Sequence, residues 1–182
     1  GGGTVNYDIP LRLGWNFVSI PLTLASTTTE TVLLPISGKY SKVYAYNSSD
    51  TVDPWKVYDL SLPPFLNDLS EINNTKGLWL YATQNATWTL NGSWPSSTSI
   101  ALKTGWNLVG YPGQTTKTVA DALTSIAGKY TKVYTYLAFD DADQWKVYDV
   151  TLPPFLNDLS QIQAGRAYWI YVSQDCTLTV TN

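Results

Sequence analysis

Residues 55–70 read WKVYDLSLPPFLNDLS and residues 145–160 read WKVYDVTLPPFLNDLS, identical at fourteen of sixteen positions. A repeat of this quality outranks any local signal, because each copy must be one structural unit. The match extends in both directions at an offset of ninety. Residues 38–46 (GKYSKVYAY) answer 128–136 (GKYTKVYTY), and 78–84 (LWLYATQ) answer 168–174 (YWIYVSQ). Farther forward, Gly14-Trp15-Asn16 corresponds to Gly105-Trp106-Asn107 at an offset of ninety-one, so one residue is lost before Gly128. The organisation expected is an N-terminal extra strand (1–8), a β-unit over 9–90, a linker over 91–99 (NGSWPSSTS) and a second β-unit over 100–182.

Within a unit the hydrophobic period is two. Val43 and Ala45 alternate with Tyr44 and Tyr46, Trp55 and Val57 with Lys56 and Tyr58, and Trp79 and Tyr81 with Leu78 and Leu80. Short β-branched and aromatic runs punctuated by Gly, Pro and Asn-Asp predict five or six strands per unit. Val119, Leu123 and Ile126 stand at helical spacing within Thr118–Ala127, and Pro35 in the first copy predicts a shorter helix there. The Leu-Pro-Pro-Phe-Leu-Asn-Asp-Leu segment cannot be a central strand, since two prolines remove ladder donors. It is expected as a structured loop pinned to the core by Phe65/Phe155, Leu66/Leu156 and Leu69/Leu159. The fold class is therefore all-β: two tandem homologous sandwich-like or barrel-like units with at most one short helix each.

Composition narrows function mainly by exclusion. The 182 residues contain no His and one Cys. That removes the serine triad, the Cys–His dyad, the imidazole zinc site and any internal disulfide. Eleven Lys and Arg against fourteen Asp and Glu give a net charge of -3, without the basic stripe of a nucleic-acid binder. No apolar run is long enough to span a bilayer, and there is no N-terminal apolar block. Cys176 matches Ala86 in the other copy, which reads as a small strand residue rather than a nucleophile. Of the two glutamates, Glu71 matches Gln161 and Glu30 matches Ala120 or Asp121, so no repeated carboxylate pair suits glycosidase chemistry. Asp59/Asp149 and Asp68/Asp158 do repeat. Asp68 and Asp158 read as turn caps accepting backbone N–H bonds, and Asp59 and Asp149 as partners of a lysine or closers of a strand end.

Four further features carry candidate sites. Asp140, Asp141 and Asp143 crowd three carboxylates into four residues, a candidate calcium site weighed against a solvated hairpin turn; no other cofactor is expected. Asn47, Asn73, Asn85 and Asn91 open Asn-x-Ser/Thr acceptors for glycosylation, all before the second unit. Eight Trp and thirteen Tyr suit strand packing or sugar stacking. The paired Trp15/Trp106 and Trp79/Trp169 read as packing. Trp88 and Trp94 lack aromatic counterparts and are the candidate carbohydrate contacts. Finally, Val5, Tyr7 and Ile9 alternate along a strand whose counterpart, Ser96–Ser99, lacks apolar residues. That strand either completes its own sheet or assembles copies by strand addition to a neighbour.

The GWNLVGYP run (105–112), with VYTY (133–136), WKVY (145–148), NDL (157–159) and YWI (168–170), resembles a repeated β-rich module of secreted and cell-surface proteins of archaea and bacteria. The pattern has a glycine just before the Tyr-Trp-Ile strand. Gly77 directly precedes Leu78, whereas Gly165 lies three residues before Tyr168, so the local turn should differ between copies. The resemblance implies an extracellular, structural or adhesive role and supplies no catalytic residues. The expectation is a non-enzymatic protein of a surface layer, filament or adhesive stalk, whose partners are copies of itself or other surface proteins. A carbohydrate-binding module contacting glycans is the alternative.

Overall fold

The computed structural model describes residues 3–182, so Gly1 and Gly2 of the expected N-terminal strand lie outside the described residues. The chain is all-β with two short helices. In the first half, β1 (Val5–Leu11), β2 (Gly14–Ser19) and β3 (Thr23–Leu24) lead into α1 (Thr29–Leu33). Then come β4 (Tyr40–Tyr46), β5 (Trp55–Asp59), β6 (Gly77–Ala82) and β7 (Ala86–Ser93). In the second half, β8 (Ser97–Leu102), β9 (Gly105–Val109) and β10 (Lys117–Thr118) precede α2 (Val119–Ala122). β11 (Tyr130–Tyr136), β12 (Trp145–Asp149), β13 (Gln161–Ile162), β14 (Tyr168–Val172) and β15 (Cys176–Thr181) follow.

Each half builds a four-stranded antiparallel sheet in the same order, β2-β6-β4-β5 and β9-β14-β11-β12. A smaller sheet packs over it, β1-β7-β3 in the first half and β8-β15 in the second. The inner faces of both sheets share one core per half. Ile9, Leu11, Trp88 and Leu90 meet Val18, Val43, Leu78 and Leu80 in the first. Ile100, Leu102, Leu178 and Val180 meet Val109, Val133, Ile170 and Val172 in the second.

β1 therefore has a duplicate, contrary to the sequence expectation. Ile9 and Leu11 lie opposite Trp88 and Ala86, and Ile100 and Leu102 lie opposite Leu178 and Cys176. The apolar residues of β8 sit just beyond the polar stretch 96–99, so that stretch on its own hides the second strand. β1 is also engaged on its own chain. It pairs along its length with β7, and the Tyr7 hydroxyl donates to the Ala164 carbonyl of the second half at 3.0 Å. The expected linker 91–99 is strand at both ends, with only Trp94-Pro95-Ser96 between β7 and β8.

Two local signatures become turn chemistry. In Gly-Trp-Asn, Gly14 and Gly105 hold φ of +104° and +103°, which a Cβ would strain. The buried Asn16 and Asn107 lock the same turn. The Asn16 Oδ1 accepts from Arg12 N, and its Nδ2 donates to Arg12 O and Gly14 O. Asn107 repeats this with Lys103 and Gly105.

Asn-Asp closes an open sheet edge. Asp68 Oδ1 accepts from Val57 N at 2.7 Å, while Asn67 bonds both backbone groups of Asp59. Asp158 and Asn157 do the same for Val147 and Asp149. Side chains thus take the ladder positions that would otherwise invite another strand onto β5 and β12.

Two more expectations change. α1 is five residues long and α2 four, so Pro35 does not shorten the first helix; it sits at the start of a following 3-10 turn, where its missing N–H costs nothing. Of the residues expected to pin the Pro-Pro loop to the core, only Leu69 and Leu159 do so. Phe65 and Phe155 are each 84% exposed, with Leu66 and Leu156 also outward. A 3-10 turn over Pro64–Leu66, repeated over Pro154–Leu156, directs them away from the core.

Candidate functional site

The halves meet through reciprocal contacts, so that what the first gives the second it receives in return. Val18 bridges Arg166 as Val109 bridges Lys76. Ser19 N donates to Gly165 O as Gly110 N donates to Thr75 O, both at 3.0 Å. These are equivalent positions exchanged, the signature of an approximate two-fold relation. Phe17 and its counterpart Leu108 form the small apolar centre with Ala167. The approach is close: a Cβ on Gly77 would come within 2.7 Å of the Val109 carbonyl oxygen.

This arrangement places the solvent-facing sides of both four-stranded sheets next to each other. Along β2, β6, β4 and β5 the outward positions carry Trp15, Trp79, Tyr81, Tyr44, Tyr46 and Trp55, opposite one another in register. The second half carries Trp106, Trp169, Tyr171, Tyr134, Tyr136 and Trp145 at the equivalent positions. Rings touch across the junction in matched pairs. Tyr46 meets Trp169 and Trp79 meets Tyr136 at 5.3 Å, while Trp55 meets Trp169 and Trp79 meets Trp145 at 5.8 Å. Most of these contacts are edge-to-face, the favourable geometry for ring quadrupoles.

Two equivalent grooves open on this face. Trp15, Tyr44, Trp55 and Trp79 with Tyr136 line one of about 480 Å³. Trp106, Tyr134, Trp145 and Trp169 with Tyr46 line the other, about 340 Å³. Each groove borrows one tyrosine from the opposite half. The rings remain substantially solvent-accessible, Trp55 at 43% and Trp145 at 49%. Flanking them, the Lys42 ammonium lies 5.7 Å from the ring centres of Trp15 and Tyr81, and Lys132 lies 5.8 Å from that of Tyr171. No carboxylate or nucleophile lines either groove.

The candidates singled out from the sequence fall elsewhere. Trp88 is fully buried, its ring N–H donating to Val32 O at 3.1 Å, so it is a core residue and not a glycan contact. Trp94 is half-buried and packs edge-on against Tyr7. The exposed tryptophans are Trp15, Trp55 and Trp145, whereas Trp79 and Trp169 pack against the Phe17–Leu108 centre as the sequence suggests and Trp106 is half-buried. Their common outward register on four paired strands is the signal that could have found them.

Asp140, Asp141 and Asp143 do not converge on a cation. Asp140 and Asp143 face Lys146, Asp140 also accepts from Ala142 N and Asp143 N, and Asp141 pairs with Arg12. The equivalent first-half turn pairs Asp50 with Lys56 at 2.7 Å, and that hydrogen bond pulls the Asp50 carboxyl down to about 2. Among the described residues no cluster of three metal-ligating side chains forms.

Of the acceptor asparagines, Asn47, Asn85 and Asn91 are exposed and Asn73 is half-buried. The Oδ1 atoms of Asn47, Asn73 and Asn85 accept backbone N–H bonds, while the Asn91 amide donates to Asn6 Oδ1 on β1. Burial pushes the Cys176 thiol up, away from the thiolate a nucleophile needs. No helix among the described residues is long and apolar enough to cross a membrane. Searches of protein-family models, curated proteins and solved structures give no match to this chain.

Proposed function

We propose that this chain is a non-enzymatic structural or adhesive module of an extracellular surface protein, and that its working part is the two-fold aromatic face. The observation that carries this reading is a contrast between exposed and buried positions. All six ring pairs of the open face are identical between the halves: Trp15/Trp106, Tyr44/Tyr134, Tyr46/Tyr136, Trp55/Trp145, Trp79/Trp169 and Tyr81/Tyr171. Inside the first core, by contrast, eight of the seventeen buried positions carry a different residue in the second half, among them Trp88/Leu178, Leu78/Tyr168 and Ile20/Tyr111. Folding alone would constrain the buried positions harder. A patch of apolar rings kept open to solvent is what interaction surfaces look like. Grooves lined by Trp and Tyr, with no carboxylate, thiol or amine among the lining residues, suit holding a partner.

A carbohydrate-binding module is the second reading, favoured by the flat Trp and Tyr faces and the two flanking lysines. The first test separates a contact surface from a packing layer. Trp55→Ala with Trp145→Ala is expected to cost less than about 2 kcal/mol per site in urea unfolding, against the roughly 3–5 kcal/mol of a buried aromatic. A loss of core size at each site overturns the contact-surface reading. Tryptophan fluorescence titrated with soluble polysaccharide then decides the glycan alternative.

A further inference from the structure

We infer that each aromatic groove receives the Leu-Pro-Pro-Phe-Leu loop of a second copy of this chain. This rests on the reading of the face as a contact surface and names what occupies it. Phe65 and Phe155 are 84% exposed, Leu66 and Leu156 about half. An exposed phenylalanine at the tip of an ordered loop, present twice in one molecule, is an unpartnered apolar knob. The Leu-Pro-Pro-Phe-Leu-Asn-Asp-Leu stretch is identical in both halves, although of its apolar residues only Leu69 and Leu159 are buried. Packing within the chain accounts for the identity of Asn67, Asp68 and Leu69 but not for that of Phe65 and Leu66.

The knob and the groove match in chemistry, both being apolar. Pro63 and Pro153 are extended, and the 3-10 turns that follow over Pro64–Leu66 and Pro154–Leu156 hold Phe65 and Phe155 outward. Prolines fix their own φ, so the knob is preset and docking it costs little ordering entropy. The Asn67 and Asp68 bonds to β5 already fix the loop, so association loses little further freedom there.

Charge does not decide the contact, because Lys42 and Lys132 beside the grooves stand opposite Asp59 and Asp149 of the same molecule. Phe65, Leu66, Phe155 and Leu156 line neither groove of their own chain. Each molecule therefore carries two knobs and two grooves as separate features. Such a head-to-tail contact propagates into chains or sheets unless its rotation happens to close a ring.

The test is sedimentation velocity from micromolar to millimolar concentration on four samples, with circular dichroism confirming the fold. Wild type is expected to grow with concentration. F65A/F155A and W55A/W145A should each move the concentration of half-association by roughly tenfold or more. Mixing those two variants, one supplying grooves and the other knobs, should restore association. The inference is overturned if wild type stays monomeric, if F65A/F155A associates like wild type, or if the mixture fails to assemble. Association lost only in the tryptophan variant would mean groove-to-groove contact, which removes the loop as occupant and leaves the contact-surface reading standing.

Discussion

The two cores are filled differently. In the first half Trp88 occupies the centre, beside Leu78 and Ile20. In the second half Leu178 stands where Trp88 does, and the bulk moves to Tyr168 and Tyr111, which replace Leu78 and Ile20. All six side chains are at most 2% exposed. The polar atoms of Trp88 and Tyr168 are both satisfied. Trp88 donates to Val32 O, and the Tyr168 hydroxyl accepts from Gln163 N at 2.9 Å. The halves show that this scaffold specifies a total volume and satisfied polar groups while leaving the distribution among strands free. Outside, all six ring pairs of the aromatic face are the same in both halves, which supports the contact-surface reading proposed above.

Transplanting residues between the halves breaks or sharpens this comparison. Trp88→Leu imports the second half's residue without its compensating tyrosines. It should cost about 3 kcal/mol, through a cavity and a Val32 carbonyl left without its donor. Adding Leu78→Tyr, Ile20→Tyr and Leu22→Gly should recover more than half of that in urea unfolding; the last is needed because a Cβ at the equivalent Gly113 would collide with the Tyr111 ring. A quadruple variant less stable than the single one would show that the two cores are not interchangeable.

A smaller and symmetric effect is expected at the turn locks. Asn16→Ala and Asn107→Ala each leave buried backbone groups unpaired and should cost about 2 kcal/mol. Unequal losses would mean that the shared Gly-Trp-Asn signature does different work in the two halves.

The smallest effect is electrostatic. The Lys56 hydrogen bond pulls Asp50 from an ordinary 3.8 down to about 2, and Lys146 lowers Asp140 in the same direction. A carboxyl whose folded pKa is depressed contributes stability above pH 3.8, lost as pH falls toward 2. Asp50→Asn should therefore flatten the acid limb of the unfolding midpoint between pH 4 and 2 more than Asp140→Asn does. Equal flattening would erase this distinction between the two exposed loops.

Much of this fold is legible in the chain. The duplication, the period of two, the exclusion of the Pro-Pro segment from any central strand and the repeated Asn-Asp all survive in the structure as two similar halves. The candidate site is legible only in its parts. Trp88 and Trp94 stand out in the sequence because they are unmatched, yet in this molecule an unmatched tryptophan such as Trp88 marks a core that compensates elsewhere. The duplicate of β1 escapes the sequence comparison because a one-residue slip carries Ile100 and Leu102 beyond the polar stretch that aligns with it.

Alternation along a strand states that neighbouring side chains point in opposite directions, and the sequence alone settled that much, together with the number of copies. It carries no sign. In β4, Val43 and Ala45 on one side and Tyr44 and Tyr46 on the other are both apolar enough to be inside. Which side becomes core was decided by the small sheet of β1 and β7 covering the aliphatic face, and by the second half meeting the first beside the aromatic one. Burial depends on the elements that approach from elsewhere in the chain, so the open aromatic face exists only at the level of tertiary packing.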